Sequence, residues 1–431
     1  MRNRVNKLLF SLVIVIIVLD IYNVDFQDSQ PVKRIENCSR SDRIIRTSIL
    51  SKTWRSKWRY LPHLVFDDTF YRTSVLPSAE QPNISKLFLN IFTVLLFHHG
   101  PILSFTFHLP LLKSCPEIDR LILYLSEKDV HEFFFEIGES KRHVLPSFLF
   151  SCVTLRRLTL SSCSFTVPLA FQGFVNLISL TFLRVPFTSN VFETIISKCP
   201  LLERLSIKHC SKFDNLDIDI PYLKFFEFSG SVESFCFRKP CEHLSTFSFN
   251  GDLSAHGTSE PTKLFESLPI VKHLHLGYKY MRWLIGRMPR KLSLSCLRVL
   301  ELSDTRFGRS DMISNVLRLI VSSPNLEKLE IGYMGYVGEE QPLAPELIKV
   351  KDLLANALEK LRVVKIKLPY AEVVKPEVEF IKFLLAESKV LEKMLIQPAE
   401  GTIAEKGLRF LKEIIQFERS STKVKILYLD P

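Results

Sequence analysis

A six-residue pattern, apolar-x-x-apolar-x-apolar, recurs along the body of the chain. Clear copies begin at Leu155, Leu177, Leu202, Leu223, Leu244, Val271, Leu297 and Leu326, and looser copies begin at Ile118, Leu361 and Leu391. Most successive copies begin about 21–30 residues apart, close to the spacing of leucine-rich repeats. The last three positions alternate apolar, polar, apolar, which predicts a short strand with one buried face in every copy.

Segments with helical spacing separate many of the copies, as at 191–200 and 311–324. Strands and helices that alternate and stack sideways bury one continuous core and line one face with strands. The sequence therefore predicts an α/β solenoid, a leucine-rich-repeat horseshoe, from about residue 100 to residue 396. The polar position between the last two apolar residues of a copy should be exposed, as at Thr159, Ser206, Glu301 and Glu330.

The cysteines follow the same repeat. Cys163 and Cys210 occupy the ninth position of their copies, where such repeats take Asn or Cys to satisfy backbone groups of a turn. No disulfide is needed to explain their spacing, and the chain has no C-x-x-C pair and no zinc-ligand spacing. Mostly reduced and buried thiols are expected, which favours the cytoplasm or nucleus.

Charge is concentrated near the start of the chain. The net charge is +11, and residues 1–60 hold 12 Lys and Arg against 5 Asp and Glu. The remaining 371 residues carry 45 against 41, so the body is nearly neutral. Because phosphate binding needs clustered basic residues, a nucleic-acid partner is not expected.

The first residues resemble a targeting segment. Three basic residues precede a short apolar run at 8–19, "LLFSLVIVIIVL", but no small-residue cleavage site follows. The run is short for a membrane span. We expect that it does not export the protein; membrane association through residues 8–19, or a secreted repeat protein, is the alternative.

The stretch "RTSILSKTWRSKWRYLPHLVFDD" (46–68) predicts a helix from Ile45 to about Tyr60. Leu50, Trp54 and Trp58 are four residues apart and form one apolar stripe, while the basic residues take the other face. Pro62 ends the helix, and "HLVFDD" should continue as an extended segment.

This stretch also resembles the second half of a plant F-box, and the chain as a whole is similar to plant F-box/FBD/leucine-rich-repeat proteins. "HVLPSFLFSCVTLRRLTLSSCSF" (143–165) and "ISKCPLLERLSIKHC" (196–210) match the repeats of that family, and 361–396 with the terminal "STKVKILYLDP" resembles its FBD segment. The resemblance implies an atypical leader and linker at 1–40, a partial F-box at 41–70, leucine-rich repeats at 100–350 and an FBD segment at 351–431.

The same resemblance implies a function. An F-box adaptor joins an SCF-type cullin-RING E3 ubiquitin ligase through a linker subunit and presents a protein target held on its repeats. The residues that can be carried over for linker docking are Arg46, Ser48, Leu50, Ser51, Trp54 and Trp58. The family's F-box opens with an "LP" turn and a first helix, whereas only the leader and "QDSQPVKRIENCSR" precede Asp42 here. Weak or absent linker binding is therefore expected, and a non-ligase binding scaffold with a degenerate F-box is the alternative function.

Catalytic motifs are absent from the sequence, including H-E-x-x-H, G-x-S-x-G and a P-loop. The glycines of "GYMGYVG" (332–338) predict a turn, and His273 and His275 alternate on one predicted strand without a third metal ligand. We expect neither an enzyme nor a cofactor or metal.

The predicted strand geometry selects a set of residues for target docking. Two positions of each copy should point away from the core and into the concave face. The candidate residues are Arg157, Thr159, Arg204, Ser206, His273, His275, Glu301 and Lys328.

Overall fold

The computed structural model describes residues 58–75, 84–138, 142–254, 257–305, 310–333, 354, 356–368, 375–400 and 404–430. The chain divides into two compact units. Unit 1 comprises residues 1–187 and 194–201, and unit 2 comprises residues 188–193 and 202–431.

Unit 1 is built on parallel strands with helices between them. Its main sheet has the order β1-β2-β3-β5-β7, and β4 pairs with β6 in a small second sheet. The strands are β1 (His63–Phe66), β2 (Ser104–Leu109), β3 (Glu132–Ile137), β4 (His143–Leu145), β5 (Arg157–Ser161), β6 (Cys163–Phe165) and β7 (Ser179–Leu183). The helices are α1 (Asp68–Val75), α2 (Ile84–Phe97) and α3 (Glu117–Ser126), with short 3₁₀ turns at Trp58–Tyr60 and Ser147–Ser151; α4 (Ser189–Ile196) falls at the division between the units.

Unit 2 continues the same construction. Its strands are ordered β8-β10-β11-β12-β13-β14-β15-β16-β17, all parallel, and β9 adds to β10. The strands are β8 (Arg204–Lys208), β9 (Phe213–Ile218), β10 (Phe225–Phe237), β11 (Thr246–Leu253), β12 (His273–Leu276), β13 (Val299–Thr305), β14 (Lys328–Tyr333), β15 (Val363–Lys367), β16 (Lys393–Gln397) and β17 (Lys425–Tyr428). The helices are α5 (Pro261–Glu266), α6 (Tyr278–Trp283), α7 (Ser310–Val321), α8 (Lys375–Glu387) and α9 (Ala404–Ile415).

The repeat pattern locates the strands accurately. In all copies but one, the strand begins two residues after the first apolar position, as in β5 after Leu155 and β16 after Leu391. The predicted helices at 191–200 and 311–324 correspond to α4 and α7, and "HLVF" forms β1.

The copy beginning at Ile118 is wrong, because this segment is helix α3 rather than a strand. Its buried residues are Ile118, Leu121, Ile122 and Leu125, which fall on one helical face. The first part of this spacing also satisfies the strand template, so the two periods could not be separated there. The neighbouring strands are β2 and β3, which the pattern did not select.

The parallel strands lie on both sides of the 100–350 segment, and β1 and β17 also lie outside the 100–396 range predicted for the solenoid. β1 lies before residue 100 and pairs with β2, and β15, β16 and β17 follow residue 350 in the same ladder as β14. The segment assigned to the FBD therefore contributes strands to the repeat sheet of unit 2.

The chain contains 34 Phe residues, and stacked phenylalanines fill much of the interior. In unit 2 the ring of Phe226 lies 5.7 Å from that of Phe247, and Phe228 lies 5.2 Å from Phe249. These pairs occupy equivalent positions of adjacent strands, since Phe226 is directly opposite Phe247 in the register. A parallel ladder thus converts a repeated sequence position into a continuous aromatic row.

Candidate target-binding face

In unit 1 the outward positions of β5 are polar. Arg157 is exposed, and its Nη1 donates to Oε1 of Glu132 on the neighbouring strand at 2.6 Å. Thr159 is half-buried between Phe134 and Thr181 of the adjacent strands. The flanking Leu158 and Leu160 are core residues, as the alternation predicts.

In unit 2 the outward positions of β8 contact those of β10. The guanidinium of Arg204 lies 4.1 Å above the ring of Phe225, a cation–π contact. The hydroxyl of Ser206 donates to Oε2 of Glu227 at 2.9 Å, and Lys208 Nζ lies 2.8 Å from the other carboxylate oxygen. Longer side chains on the next strand therefore cover Ser206, which is buried, and the prediction that it is exposed is wrong.

His275 is held between two serines. Its Nδ1 lies 2.7 Å from the Ser248 hydroxyl, and its Nε2 lies 2.7 Å from the Ser303 hydroxyl. A neutral imidazole has one donor and one acceptor nitrogen, so one serine hydroxyl accepts a hydrogen bond and the other donates one. Burial lowers the pKa of His275 below its ordinary value, which favours this neutral state.

The acidic residues next to His275 carry stable negative charge. His273 Nε2 lies 3.4 Å from Oε2 of Glu301, and this neighbour, with His275 and Lys367, lowers the pKa of Glu301 to about 2. Because Glu301 lies directly opposite His275 and Glu330, the strand register brings these side chains together.

Glu330 is the anchor of a lysine network. It lies 2.7 Å from Lys367, 3.0 Å from Lys328 and 3.7 Å from Lys365. Burial opposes its ionisation, but the hydrogen bonds from Lys367 and Lys328 hold the pKa of Glu330 below its ordinary value. The prediction that Glu330 is exposed is wrong, because these lysines cover it and leave it buried.

Comparison with known proteins adds to this geometry. Residues 118–258 match a family model described as the LRR repeats of FBD-associated F-box protein At5g56370. The chain is 32% identical over 426 residues to F-box/FBD/LRR-repeat protein At1g13570 of Arabidopsis thaliana, covering 94% of this chain and 98% of that protein. The chain belongs to the F-box/FBD/LRR-repeat family.

Two further Arabidopsis relatives agree with this assignment. Probable FBD-associated F-box protein At1g32375 is 24% identical over 420 residues, covering 88% of this chain and 93% of that protein. F-box/LRR-repeat protein 25 is 28% identical over 202 residues, covering 47% of this chain and 72% of that protein. The chain is thus a repeat protein of the F-box/FBD/LRR-repeat family and not an enzyme, as the sequence predicts.

Five of the six residues predicted to dock the ligase linker lie outside the described ranges: Arg46, Ser48, Leu50, Ser51 and Trp54. Trp58 opens the 3₁₀ turn Trp58–Tyr60, and its docking role remains a prediction.

The structure also bears on the remaining sequence expectations. Within the described ranges, no helix has the length and apolar character needed to cross a membrane, and residues 8–19 lie outside those ranges. No group of three or more His, Cys, Asp and Glu residues in the same ranges is placed to hold a metal ion. The eight described cysteines are free thiols, four of them buried: Cys152, Cys163, Cys199 and Cys241.

A second polar cluster, in unit 1, escaped the sequence analysis. Glu136 is buried and lies 2.9 Å from His108 Nδ1 and 2.7 Å from Arg184 Nη2, and it accepts a hydrogen bond from Ser161 at 3.1 Å. Burial opposes its ionisation, but His108 and Arg184 hold the pKa of Glu136 below its ordinary value. The hydrogen bond to Glu136 raises the pKa of His108. The fifth positions of "SFTFHL" and "EFFFEI" are the polar residues His108 and Glu136, and they could have indicated this cluster. They were missed because a strand was assigned at Ile118 instead of at these two segments.

The two histidines predict opposite responses to acid. The folded-state pKa of His275 is lowered, so its contribution to stability is present above the unfolded pKa near 6.5 and is lost as pH falls. The pKa of His108 is raised, so its contribution is present at low pH and is lost as pH rises through the folded-state pKa. Chemical denaturation between about pH 7.5 and 5.5 should show less acid destabilisation in His275→Gln than in the wild type, and more in His108→Gln. The same slope in both variants would contradict these assignments.

Proposed function

We propose that this chain is the substrate-recognition adaptor of an SCF-type cullin-RING E3 ubiquitin ligase. Membership in the F-box/FBD/LRR-repeat family supports the ligase side of the proposal. The observation that carries the target side is that Arg, His, Glu and hydroxyl side chains occupy outward strand positions in each of the two units. An adaptor only positions its target, so this surface needs no catalytic residues.

The target would be a protein rather than a nucleic acid. The proposed face mixes both signs of charge, with Glu301 and Glu330 beside lysines, which suits a polar protein surface better than a phosphate backbone. Arginine is enriched among interface residues that dominate binding energy. The proposed docking residues are Arg157, Thr159, Arg204, Ser206, His273, His275, Glu301 and Lys328.

The ligase side of the proposal rests on residues 41–70 as a partial F-box. We also propose that the repeats at 100–350 form a horseshoe, that residues 351–431 form an FBD, and that the protein is located in the cytoplasm or nucleus. The family's F-box supplies the precedent for the linker contact, and the stripe of Leu50, Trp54 and Trp58 supplies the apolar residues for it.

Linker binding tests this function directly. The purified full chain should bind the linker subunit of a plant cullin-RING ligase, more weakly than a complete F-box protein does. The double variant Leu50→Ala/Trp54→Ala should lose this binding, because each substitution empties an apolar contact worth roughly 2 kcal/mol or more. Calorimetric titration measures both affinities.

The control removes two basic residues that lie away from this apolar stripe on the same predicted helix. Lys52→Ala/Arg55→Ala should retain linker binding within about threefold. If the wild-type chain shows no linker binding at all, the adaptor function is refuted and a binding scaffold with a degenerate F-box remains.

A further inference from the structure

The outward positions of the last three strands of unit 2 are rich in lysine. β15 carries Lys365 and Lys367, β16 carries Lys393, and β17 carries Lys425. The register places Lys393 directly opposite Lys425, with both side chains exposed. Two lysines in this relation repel each other across the ladder.

The nearby carboxylates leave this charge uncompensated. Glu330 and Glu301 lie against Lys328, Lys365 and Lys367, at distances from 2.7 to 3.8 Å. Among the residues that the structure describes, neither Lys393 nor Lys425 makes an ion pair. Five lysines thus face two carboxylates on this part of the sheet, and the excess positive charge lies on β16 and β17.

An apolar patch lies beside the unpaired lysines. Leu395 is two residues from Lys393 on the same face of β16, and the register aligns it with Lys365 on one side and Leu427 on the other. Leu395 is half-buried, and Leu427 is 41% exposed. We call the surface formed by Lys365, Lys393, Lys425, Leu395 and Leu427 the lysine face.

The rest of this region does not share the arrangement. Arg362, just before β15, lies 3.2 Å from Glu392, just before β16, so a basic residue there faces an acidic partner on the neighbouring segment. Direct opposition of like charges costs stability, and it is avoided at no structural expense when one partner is acidic. An anionic partner that neutralises both lysines would account for their opposition beside the half-buried Leu395 and the exposed Leu427.

We propose that the lysine face binds an acidic segment of a protein partner, with a large apolar side chain on Leu395 and Leu427 and carboxylates at Lys393 and Lys425. Charge complementarity and the apolar centre select this occupant, because a small inorganic anion would leave the leucines exposed. Identification of the partner as a ligase target rests on the proposed function; the binding surface itself does not. The FBD segment then adds a recognition site to that of the middle repeats.

Defined peptides provide the test. The full chain is titrated into fluorescein-labelled peptides of sequence DEELFEED, NQQLFQQN and DEEASEED, and binding is followed by fluorescence anisotropy. We expect DEELFEED to bind at least tenfold more tightly than the neutral peptide and the peptide without the apolar centre. Its affinity should fall as salt rises, because exposed charge pairs are screened.

Charge reversal separates the lysine face from general basicity. Lys393→Glu/Lys425→Glu keeps like charges opposed, so its folding stability should match that of the wild type while its affinity for DEELFEED falls at least tenfold. Arg409→Glu/Lys412→Glu makes the same change in charge on helix α9 and should retain affinity within threefold.

A single substitution gives a second, independent readout. Lys393→Glu puts a carboxylate opposite Lys425, so the melting temperature of this variant should rise above that of the wild type while peptide affinity falls. If Lys393 has no binding role, the melting temperature of this variant should rise while its peptide affinity stays at the wild-type value.

Two results would overturn the proposal: equal binding of the acidic and neutral peptides, or equal losses in the β16–β17 and α9 double variants. Linker binding by Lys393→Glu/Lys425→Glu is measured in parallel and should be unchanged. Loss of peptide binding with linker binding intact tests this surface alone, whereas an absence of linker binding in the wild type refutes the adaptor function and leaves the surface standing.

Discussion

Replacing Phe226 by Ala should lower the free energy of unfolding by about 3–5 kcal/mol, the range for emptying a buried aromatic site. The Phe226 ring is fully buried and contacts Phe235, Phe237 and Phe247, with ring centroids 5.4, 5.7 and 5.7 Å away. Its removal leaves a cavity in an aromatic row that runs from strand to strand, so neighbouring rings cannot close it without leaving their own positions. Urea denaturation followed by tryptophan fluorescence and circular dichroism measures the change.

Phe225 is the matched control. It is the preceding residue of β10, but it points to the outward face, is half-buried and lies under the Arg204 guanidinium. Phe225→Ala should therefore cost only about 1 kcal/mol, mainly the cation–π contact. Equal losses at Phe225 and Phe226 would show that the alternation of buried and outward positions is wrong in this strand.

Gly173→Ala should be the most damaging small substitution in unit 1, with a loss of roughly 3 kcal/mol. Gly173 has φ of 115°, a conformation that L side chains rarely adopt. A Cβ atom there would also overlap the backbone carbonyl of Lys198, which cannot move as a flexible side chain can. The segment lies between the buried rings of Phe171 and Phe174, so a shift of the backbone would disturb the core.

Comparison of Gly286→Ala with Gly173→Ala distinguishes the cost of backbone strain from the cost of steric overlap. Gly286 also has positive φ, 73°, but no atom lies within 4 Å of the position that a Cβ would take. Gly286→Ala should cost about 1–2 kcal/mol, the strain alone. Thermal denaturation of the two variants compares the effects, and an equal loss at both positions would rule out the proposed overlap at Lys198.

The starting points of most strands could be predicted from the sequence, because the six-residue pattern recurs at a regular spacing. A copy such as "LERLSI" (202–207) contains a core leucine and an alternating strand, and each copy is checked by its neighbours about 21–30 residues away. Strand β3 is different. The three consecutive phenylalanines of "EFFFEI" (132–137) hide the alternation, while the adjacent helix α3 mimics the repeat spacing.

The partners of outward side chains could not be predicted from one strand at a time. Ser206 and Glu330 occupy outward positions as expected, yet both are buried, because side chains of the next strand cover them, joined at Glu330 by Lys328 of the same strand. That covering depends on strand register and side-chain length, which a six-residue pattern does not contain. The bridging of His275 by Ser248 and Ser303 depends on the same register and joins residues from three strands.

Ubiquitin-remnant mass spectrometry in plant cells tests the central claim most directly. Cells would express either the wild-type chain or Arg157→Ala/Arg204→Ala, a variant whose free energy of unfolding should fall by only about 1 kcal/mol, because it loses one exposed ion pair and one cation–π contact. The proposed adaptor function predicts a small set of proteins that gain ubiquitin and fall in abundance with the wild-type chain, and that lose most of this effect with the double variant. Identical ubiquitin profiles in wild-type, variant and untransformed cells would contradict it.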